Sequence, residues 1–405
     1  MNVLMMFPYA PLPPPNDLGG MKRNIPFFVQ MAKRHAVTVL AYGSPEQEKV
    51  FRGAYAAMCA GVRFVDRRRP RILNGIEALW LLLTWRSNYR QVYRDSMQEA
   101  LDELSRTVRF DVIHTCTQMF GYFRFPEGVP VVTDTHEVEY DLAQRTYRNT
   151  KNLFWKFFMY LSYRVGRREE IENCARFDAL IATTERDAVI FRRDVPSQRV
   201  VVIQNGVDPS FYESPRVPRE PGALVFTGMM SFYPNTHGIR WFIDEVFPLV
   251  VGRVPGARLY VVGKDPGKEI MERGSDRVTV TGFVDDVRPY MARGEVFIIP
   301  LHIGGGIRGK ALEAMAMRLP IVTTTIGCEG IHLKDGTSAL FADTPADFAG
   351  AVTRLLDDPA LRERITQSAL ATVRTLYDWD AKGEALDALY RSVAVHDTST
   401  PKEHT

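Results

Sequence analysis

Residues Ile298 to Thr325, IIPLHIGGGIRGKALEAMAMRLPIVTTT, carry more information about the fold than any other stretch. An apolar strand leads into three glycines and two cations, and a helix-length segment then runs to Pro320 and a second apolar strand. Strands that alternate with helices in this way are typical of a parallel sheet covered by helices. The stretch therefore predicts an α/β fold.

The loop inside this stretch has the residues of a diphosphate site. Glycines let backbone N–H groups approach an anion closely, and a helix that starts just after them turns its positive end toward the same point. The predicted anion-binding residues are Gly304, Gly305, Gly306, Arg308 and Lys310. Glu313, one turn beyond Lys310, can accept hydrogen bonds from a ribose diol. The alternative is a flexible surface loop followed by a solvated helix.

The same residues resemble the donor-binding stretch of retaining glycosyltransferases of family 4, which have the GT-B fold. The subgroup with a Gly-Gly-Gly-x-Arg-x-Lys-x-x-Glu-Ala-Met-Ala run is the most similar. The resemblance implies that Glu313 holds the ribose hydroxyls. The family's other glutamate stands eight positions earlier, where this chain has Gly305, so its sugar contact must come from backbone amides or from elsewhere.

Length and composition indicate a two-domain enzyme. A chain of 405 residues is too long for one ordinary core, and 45% hydrophobic with 24% charged residues is a globular composition. The net charge of +3 gives no reason to expect a nucleic-acid partner. The scattered cysteines have no metal-ligand spacing and indicate reduced thiols in a cytoplasmic protein. They are Cys59, Cys116, Cys174 and Cys328.

Neither a signal peptide nor a membrane span is expected. The N-terminal run MNVLMMF has no basic segment before it and stops at Pro8, so it is predicted to be a first strand. The longest apolar candidate, Ile72–Trp85, contains Asn74 and Glu77 and falls short of the ~20 residues that a spanning helix needs.

Two series of strands divide the chain. The first series is predicted at Asn2–Phe7, Ala36–Ala41, Val62–Val65, Asp111–Thr115, Pro130–Thr133, Asp178–Thr183 and Val200–Ile203. The second is predicted at Ala223–Thr227, Arg258–Val262, Val278–Thr281, Val296–Pro300, Pro320–Thr324 and Ser338–Phe341. Continuous apolar runs are typical of strands buried on both faces of a parallel sheet.

A proline-rich linker, Glu213–Gly222, separates the two series. We therefore expect the GT-B architecture of two Rossmann-like domains with a cleft between them. The N-terminal domain would span residues 1–208 on the acceptor side, and the C-terminal nucleotide-sugar domain would span 209–380. A helix at 381–395 would pack back on the N-terminal domain, as the resemblance implies, and 396–405 would be a disordered tail.

Loops after the carboxyl ends of parallel strands carry the ligands. The loop after the first strand holds Gly19 and Gly20, either a plain turn or, as the family implies, a backbone cradle for the donor. His136 ends a strand in VVTDTH, which matches the family's histidine near the donor sugar and makes it the candidate catalytic residue. His114 is a rival at another strand end with a weaker match, and either histidine could be structural.

In the second half, Gly228 ends the strand of VFTGMM and corresponds to the family's first glycine turn. Most family members place an arginine and a lysine after it, whereas this chain has Met229 and Met230, so Arg308 and Lys310 must supply the charge. The backbone around Phe283 and Val284 resembles the base-binding loop, although Phe283 could equally be a core residue. The Asp378-Trp379-Asp380 run is better explained as a helix start than as a metal site, and the family needs no catalytic metal.

Two stretches combine basic with aromatic residues. Arg67–Arg71 precedes the apolar run Ile72–Trp85, and Asn152–Arg168 reads NLFWKFFMYLSYRVGRR. Such surfaces suit an interface with anionic lipid. The alternative is that the aromatic residues face the core and the cations are solvated.

The sequence thus predicts a metal-independent retaining glycosyltransferase with a nucleotide-diphosphate sugar as co-substrate and no further cofactor. The resemblance implies a glycan, lipid-linked or small-molecule hydroxyl acceptor and a role in cell-envelope polysaccharide synthesis. The protein would be cytoplasmic, in peripheral contact with the inner face of the cell membrane. Two alternatives stay open: a GT-B-like sugar-nucleotide epimerase, and a non-catalytic sugar-binding protein.

Overall fold

The computed structural model describes residues 1–13, 21–66, 92–150, 152–208, 211–212, 217–303 and 308–396. The chain divides into two compact units. The first domain comprises residues 1–204 together with 379–405, and the second domain comprises residues 205–378. The second domain is therefore inserted, in sequence, before the last segment of the first.

The first domain is built on a parallel sheet of seven strands in the order β3-β2-β1-β4-β5-β6-β7. Its strands are β1 (Asn2–Phe7), β2 (Ala36–Tyr42), β3 (Gly61–Val65), β4 (Val112–Thr115), β5 (Val131–Asp134), β6 (Ala179–Ala182) and β7 (Arg199–Val202). Its described helices are α1 (Met21–Ala32), α2 (Pro45–Tyr55), α3 (Asp95–Thr107), α4 (Glu139–Asn149), α5 (Leu153–Cys174), α6 (Glu185–Asp194) and α14 (Trp379–His396), with 3₁₀ turns at Ala56–Met58 and Gln118–Tyr122.

Each face of this sheet carries its own core. Along β1, Leu4 and Met6 belong to one cluster of buried residues, whereas Val3 and Met5 belong to the other. Successive side chains of a strand point to opposite faces, so a strand covered on both sides must be apolar throughout. This explains why the strands are continuous apolar runs in the sequence.

The last helix, α14, completes one of these two cores. Leu386 and Tyr390 are fully buried in the cluster that contains Val3 and Met5 of β1. Trp379 packs edge-on against Phe27 of α1, with 5.3 Å between the ring centroids. The helix begins two residues before the predicted segment 381–395 and ends one residue after it.

The second domain has a parallel sheet of six strands in the order β10-β9-β8-β11-β12-β13. The strands are β8 (Ala223–Thr227), β9 (Arg258–Val262), β10 (Val278–Gly282), β11 (Val296–Ile299), β12 (Ile321–Thr323) and β13 (Leu340–Phe341). The helices are α7 (Tyr233–Trp241), α8 (Phe247–Arg253), α9 (Lys268–Met271), α10 (Arg288–Arg293), α11 (Gly309–Ala316), α12 (Pro345–Asp357) and α13 (Pro359–Leu376), with a π-helical turn at Phe242–Val246 and a 3₁₀ turn at Ile326–Cys328.

Every predicted strand is present, and the ends agree within two residues. The prediction of two parallel-sheet α/β domains is confirmed. Among the described residues, no helix combines the length and the apolar character that crossing a bilayer requires. Several predictions concern segments outside the described residues, namely Gly19, Gly20, Arg67–Arg71, Ile72–Trp85, Gly304, Gly305, Gly306 and 397–405.

Candidate functional site

Both sheets have the strand order of a Rossmann-type domain, in which ligands bind at the carboxyl ends of the strands where the order reverses. In the first domain this point lies between β1 and β4, and in the second between β8 and β11. Gly228 follows β8 directly, and Arg308 and Lys310 follow β11 after the glycine run. The fold therefore places the predicted phosphate-binding residues of the second domain around its switch point.

Gly228 stands where a side chain would collide with the site. A Cβ at this position would lie 2.8 Å from the Asn235 amide nitrogen and 2.9 Å from Lys310 Nζ. The next strand makes a similar close approach, because a Cβ on Gly263, whose φ is +148°, would lie 1.8 Å from the Gly228 carbonyl oxygen. Glycine at both positions allows the Asn235 and Lys310 side chains and the Gly263 backbone to pack closely at the end of β8.

Lys310 is held in place by a neutral amide. Its Nζ donates to Asn235 Oδ1 at 2.8 Å and lies 4.1 Å from the centroid of the Phe226 ring. Asn235 is itself buried on α7, and its amide nitrogen donates to the Met229 carbonyl at 2.8 Å. An amide acceptor orients the ammonium group without neutralising its charge. The ammonium group is therefore held beside Gly228.

Two more predicted residues, Arg308 and Glu313, lie at or near the start of the short helix α11. Arg308 is the residue just before α11, and Glu313 lies in its second turn. Both side chains are largely buried, at 8% and 5% exposure. Charged groups are rarely buried without a purpose, so these positions fit a binding role better than a solvated helix face.

The predicted base-binding loop contains one exposed and one partly buried apolar side chain. Phe283 is 60% exposed, so the alternative that it is a core residue is wrong. Val284 is partly buried against the core of the second domain. Gly282, just before them, has a φ of +69°, a conformation that glycine adopts without strain.

In the first domain His136 lies beyond β5, next to a buried ion pair. Asp134, the last residue of β5, accepts from Arg23 Nε and Nη2 at 2.7 Å each, and both side chains are almost fully buried. His136 Nε2 is 3.4 Å from the Asn24 amide nitrogen. Burial lowers the pKa of His136, with partial opposition from the Asp134 carboxylate. The imidazole is thus neutral near pH 7 and able to form hydrogen bonds.

Asn24 links His136 to a buried phenol. Its amide nitrogen donates to Tyr9 Oη at 2.7 Å, and burial raises the pKa of Tyr9 well above its usual value. The groups that link to His136 by hydrogen bonds, Asn24 and Tyr9, are therefore neutral. They suit contact with the hydroxyl groups of a sugar better than contact with a phosphate.

His114, the rival of His136, is part of the packing. It is fully buried, its Nδ1 is 2.6 Å from Tyr390 Oη on α14, and burial lowers its pKa to about 4. This bond fastens the last helix to β4. The geometry favours a structural role for His114.

The sequence analysis missed two residues that set the geometry of these sites. The sequence gives neither Asn235 nor Arg23 a recognisable role. Each acts through a partner far along the chain, 75 residues for Asn235–Lys310 and 111 for Arg23–Asp134. Among the described residues, no group of His, Cys, Asp and Glu could hold a metal ion.

Two family models match separate parts of the chain. The model described as Glycosyltransferase Family 4 matches residues 29–211, and the model described as Glycosyl transferases group 1 matches residues 221–358. Each match falls largely within one of the two domains. Both domains therefore resemble glycosyltransferase domains in sequence.

Curated relatives align over part of the chain. An α-D-kanosaminyltransferase of Streptomyces kanamyceticus is 31% identical over 170 residues, which cover 39% of this chain and 43% of the relative. A D-inositol 3-phosphate glycosyltransferase of Thermomonospora curvata is 35% identical over 254 residues, covering 55% and 58%. A phosphatidyl-myo-inositol mannosyltransferase of Mycolicibacterium smegmatis is 28% identical over 206 residues, covering 48% and 52%. The chain thus spans about half the length of these relatives.

Solved structures match the whole chain. Sucrose-phosphate synthase from Thermosynechococcus elongatus superposes with a TM-score of 0.72 at 17% identity, covering 97% of this chain and 99% of the other. The Anabaena protein HepE in complex with UDP-glucose gives a TM-score of 0.68 at 13% identity, covering 96% and 99%. The fold is therefore the GT-B fold of glycosyltransferases, as the sequence predicted.

Proposed function

We propose that the protein is a retaining glycosyltransferase that moves a sugar from a nucleotide-diphosphate donor to an acceptor hydroxyl. The observation that carries this proposal is the arrangement around Gly228: a glycine at the strand end of the switch point, with Lys310 oriented beside it by Asn235. The sequence matches to glycosyltransferase models in both domains support it. So does the UDP-glucose bound by a protein of the same fold.

The donor is assigned to the second domain. Lys310 and Arg308 bind the diphosphate, together with the amides of Gly304, Gly305 and Gly306. Glu313 accepts hydrogen bonds from the ribose, and the backbone at Phe283 and Val284 meets the base. We also propose Gly19 and Gly20 of the first domain as donor-binding residues.

The reaction breaks the bond between the anomeric carbon and the diphosphate oxygen. The cations stabilise the charge that develops on the leaving diphosphate. The acceptor oxygen then bonds to the anomeric carbon on the face the diphosphate leaves, and its proton passes to the leaving phosphate. The described residues present no covalent nucleophile for this step. Since Arg308 and Lys310 supply the positive charge, transfer should survive a chelator.

His136 is assigned to the sugar. The neutral imidazole beside Asn24 can donate or accept a hydrogen bond with a hydroxyl group. His136→Ala should therefore lower the transfer rate far more than it lowers nucleotide-diphosphate affinity, because the sugar contact contributes to the transition state and not to nucleotide binding. His114→Gln is the comparison, and normal turnover in His136→Ala would remove the assignment.

The acceptor and the setting are proposed from the relatives and the surface. Relatives named for an inositol phosphate and for phosphatidyl-myo-inositol support a small-molecule or lipid-linked acceptor, and envelope polysaccharide synthesis is the setting we propose. At the start of α5, four apolar side chains are exposed: Leu153 (82%), Phe154 (75%), Trp155 (55%) and Phe157 (63%). The alternative that these aromatic residues face the core is wrong.

We assign this exposed apolar patch, Leu153–Phe157, to contact with the inner face of the cell membrane. Large exposed apolar patches mark interaction surfaces, and Lys156 within it favours anionic lipid. A Phe154→Ser, Phe157→Ser double variant should sediment less with phosphatidylglycerol-containing vesicles. Val50→Ser, at another exposed apolar residue of the first domain, is the control. Equal sedimentation of the double variant and wild type would remove the membrane assignment.

The donor proposal is tested first by thermal shift with UDP, GDP, ADP, CDP and TDP, since a ligand of the native state raises apparent stability. One diphosphate should stabilise the protein and the matching nucleoside should not. Incubation of the corresponding nucleotide sugar without any acceptor then separates the alternatives. Conversion of the sugar would indicate an epimerase, and binding with neither conversion nor transfer to any acceptor would indicate a sugar-binding protein.

A further inference from the structure

The first domain contains an arginine-lined cavity that the proposed reaction leaves without a role. It has a volume of about 620 Å³ and lies among α4, α5 and α6. Four arginines line it, Arg148, Arg167, Arg186 and Arg193, against one carboxylate, Asp141. Tyr140, Gln144 and Tyr163 add polar groups. An excess of guanidinium groups around a cavity is the usual composition of a phosphate site.

The arginines are oriented by carboxylates that they share. Arg186 Nη2 lies 2.7 Å from Asp141 Oδ2, and the same carboxylate also pairs with Arg145 at 3.0 Å. Arg193 and Arg167 both pair with Asp194, at 2.9 and 3.2 Å. Each carboxylate thus serves two guanidinium groups. The shared pairs fix the positions of the side chains, and Arg186 also pairs with Asp187 at 3.3 Å.

Arg148 adds a cation with no counter-charge. It is exposed near the end of α4, and among the residues described by the structure it has no hydrogen-bonding or ionic partner. Gln144, one turn earlier on the same helix, donates to Tyr163 Oη at 3.1 Å and closes that side of the cavity. Arg148 is therefore the residue of the cavity with its whole donor set available to a ligand.

The helix that supplies Tyr163 and Arg167 also carries the exposed apolar patch Leu153–Phe157. Lys156, within the patch, lies 5.5 Å from the centroid of the Tyr147 ring on α4 and so ties the patch to the helix that holds Arg148. An anion site and an apolar surface on the same pair of helices match an amphiphile with a phosphate head and a hydrocarbon tail.

Resting on the function proposed above, we propose that this cavity binds the phosphate group of a lipid-linked acceptor. The guanidinium groups hold the phosphate oxygens by charge-assisted hydrogen bonds, and the tail lies on the apolar patch. The site is separate from the donor diphosphate site, which belongs to the second domain. The same phosphate chemistry could also come from bilayer headgroups or from free phosphate.

The test titrates geranyl diphosphate, a soluble isoprenyl diphosphate, by calorimetry into wild type, Arg148→Gln, Arg192→Gln and Lys310→Gln. Arg192 is a matched control on α6 that pairs with Glu185 outside the cavity. Arg148→Gln should weaken geranyl diphosphate binding at least about tenfold and leave nucleotide-diphosphate binding unchanged. Lys310→Gln should do the reverse, and Arg192→Gln should change neither. Unchanged melting temperatures show that the variants fold.

Unchanged geranyl diphosphate affinity in Arg148→Gln would overturn the proposal, whereas loss of nucleotide binding alone would concern only the donor site. Two further probes distinguish a lipid-linked phosphate from free phosphate and from bilayer headgroups. Inorganic diphosphate binding as tightly as geranyl diphosphate would overturn the lipid tail. Vesicles of phosphatidylcholine with and without phosphatidylglycerol test the headgroup. If Arg148→Gln weakens vesicle binding but not geranyl diphosphate binding, bilayer headgroups are the ligand and the acceptor assignment is wrong.

Discussion

The two sheets have the same strand order around their switch points, but the cation near each switch point has a different kind of partner. In the first domain Arg23 pairs with the Asp134 carboxylate and both are buried, so the charges neutralise each other inside the fold. In the second domain Lys310 donates to the Asn235 amide, which orients the ammonium but leaves its charge. The difference favours a structural role for Arg23 and agrees with the diphosphate-binding role that we propose for Lys310.

The largest expected effect follows from breaking the buried pair. Asp134→Ala should lower the free energy of unfolding by about 3–5 kcal/mol, because it leaves the Arg23 charge buried without its counter-ion. Urea unfolding followed by circular dichroism measures it. Asp380→Ala, which removes an exposed partner of Lys33, should cost less than about 1 kcal/mol. If the two variants lose the same stability, Arg23 is not committed to structure.

The second test concerns ligand affinity rather than stability. Lys310→Gln should weaken nucleotide-diphosphate affinity about 10- to 150-fold, as expected for loss of a charge-assisted hydrogen bond worth roughly 1.5–3 kcal/mol. The free energy of unfolding should change by less than about 1 kcal/mol. Calorimetric titration with the diphosphate and with the bare nucleoside checks it. A stability loss as large as that of Asp134→Ala, with unchanged affinity, would show that Lys310 is also structural.

The third test uses pH and concerns only the first domain. Burial lowers the pKa of His114 to about 4, and the charged groups near it are Asp134 and Arg23. Its ring lies against Tyr390, and the folded state favours the neutral imidazole. Its contribution to stability is complete above its unfolded value of about 6.5 and is lost as pH falls toward 4. The stability difference between wild type and His114→Gln should therefore shrink by about 3 kcal/mol over this window. A difference independent of pH would contradict the neutral, structural histidine.

The smallest expected effect is at the glycine beside Lys310. Gly228→Ala places a Cβ 2.8 Å from the Asn235 amide nitrogen and 2.9 Å from Lys310 Nζ. It should displace these side chains rather than the backbone and weaken diphosphate affinity by about fivefold, or ~1 kcal/mol. Gly252→Ala is the matched control, because a Cβ there meets nothing within 4 Å. Affinities measured by calorimetry should fall for the first variant only. Equal affinities would mean that the ligand does not approach Gly228.

The fold was predictable because its signal is local. A strand covered on both faces must be apolar along its whole length, and most of the strands are visible in this way without knowledge of their neighbours. The glycine and cation content of the Ile298–Thr325 stretch is local too. The partners were not predictable, because Asn235–Lys310 and Arg23–Asp134 join residues distant in the chain. The arginine-lined cavity draws on three helices and has no local pattern.

The placement of α14 has a consequence for synthesis on the ribosome. Leu386 and Tyr390 fill the core of the first domain, but they follow the entire second domain in the chain. While the second domain is being translated, the apolar surface around Phe27 that later receives Trp379 has no covering helix. The core of the nascent first domain therefore stays incomplete until α14 has been synthesised. A chain that terminates before α14 leaves that surface exposed to aggregation or to binding by a chaperone.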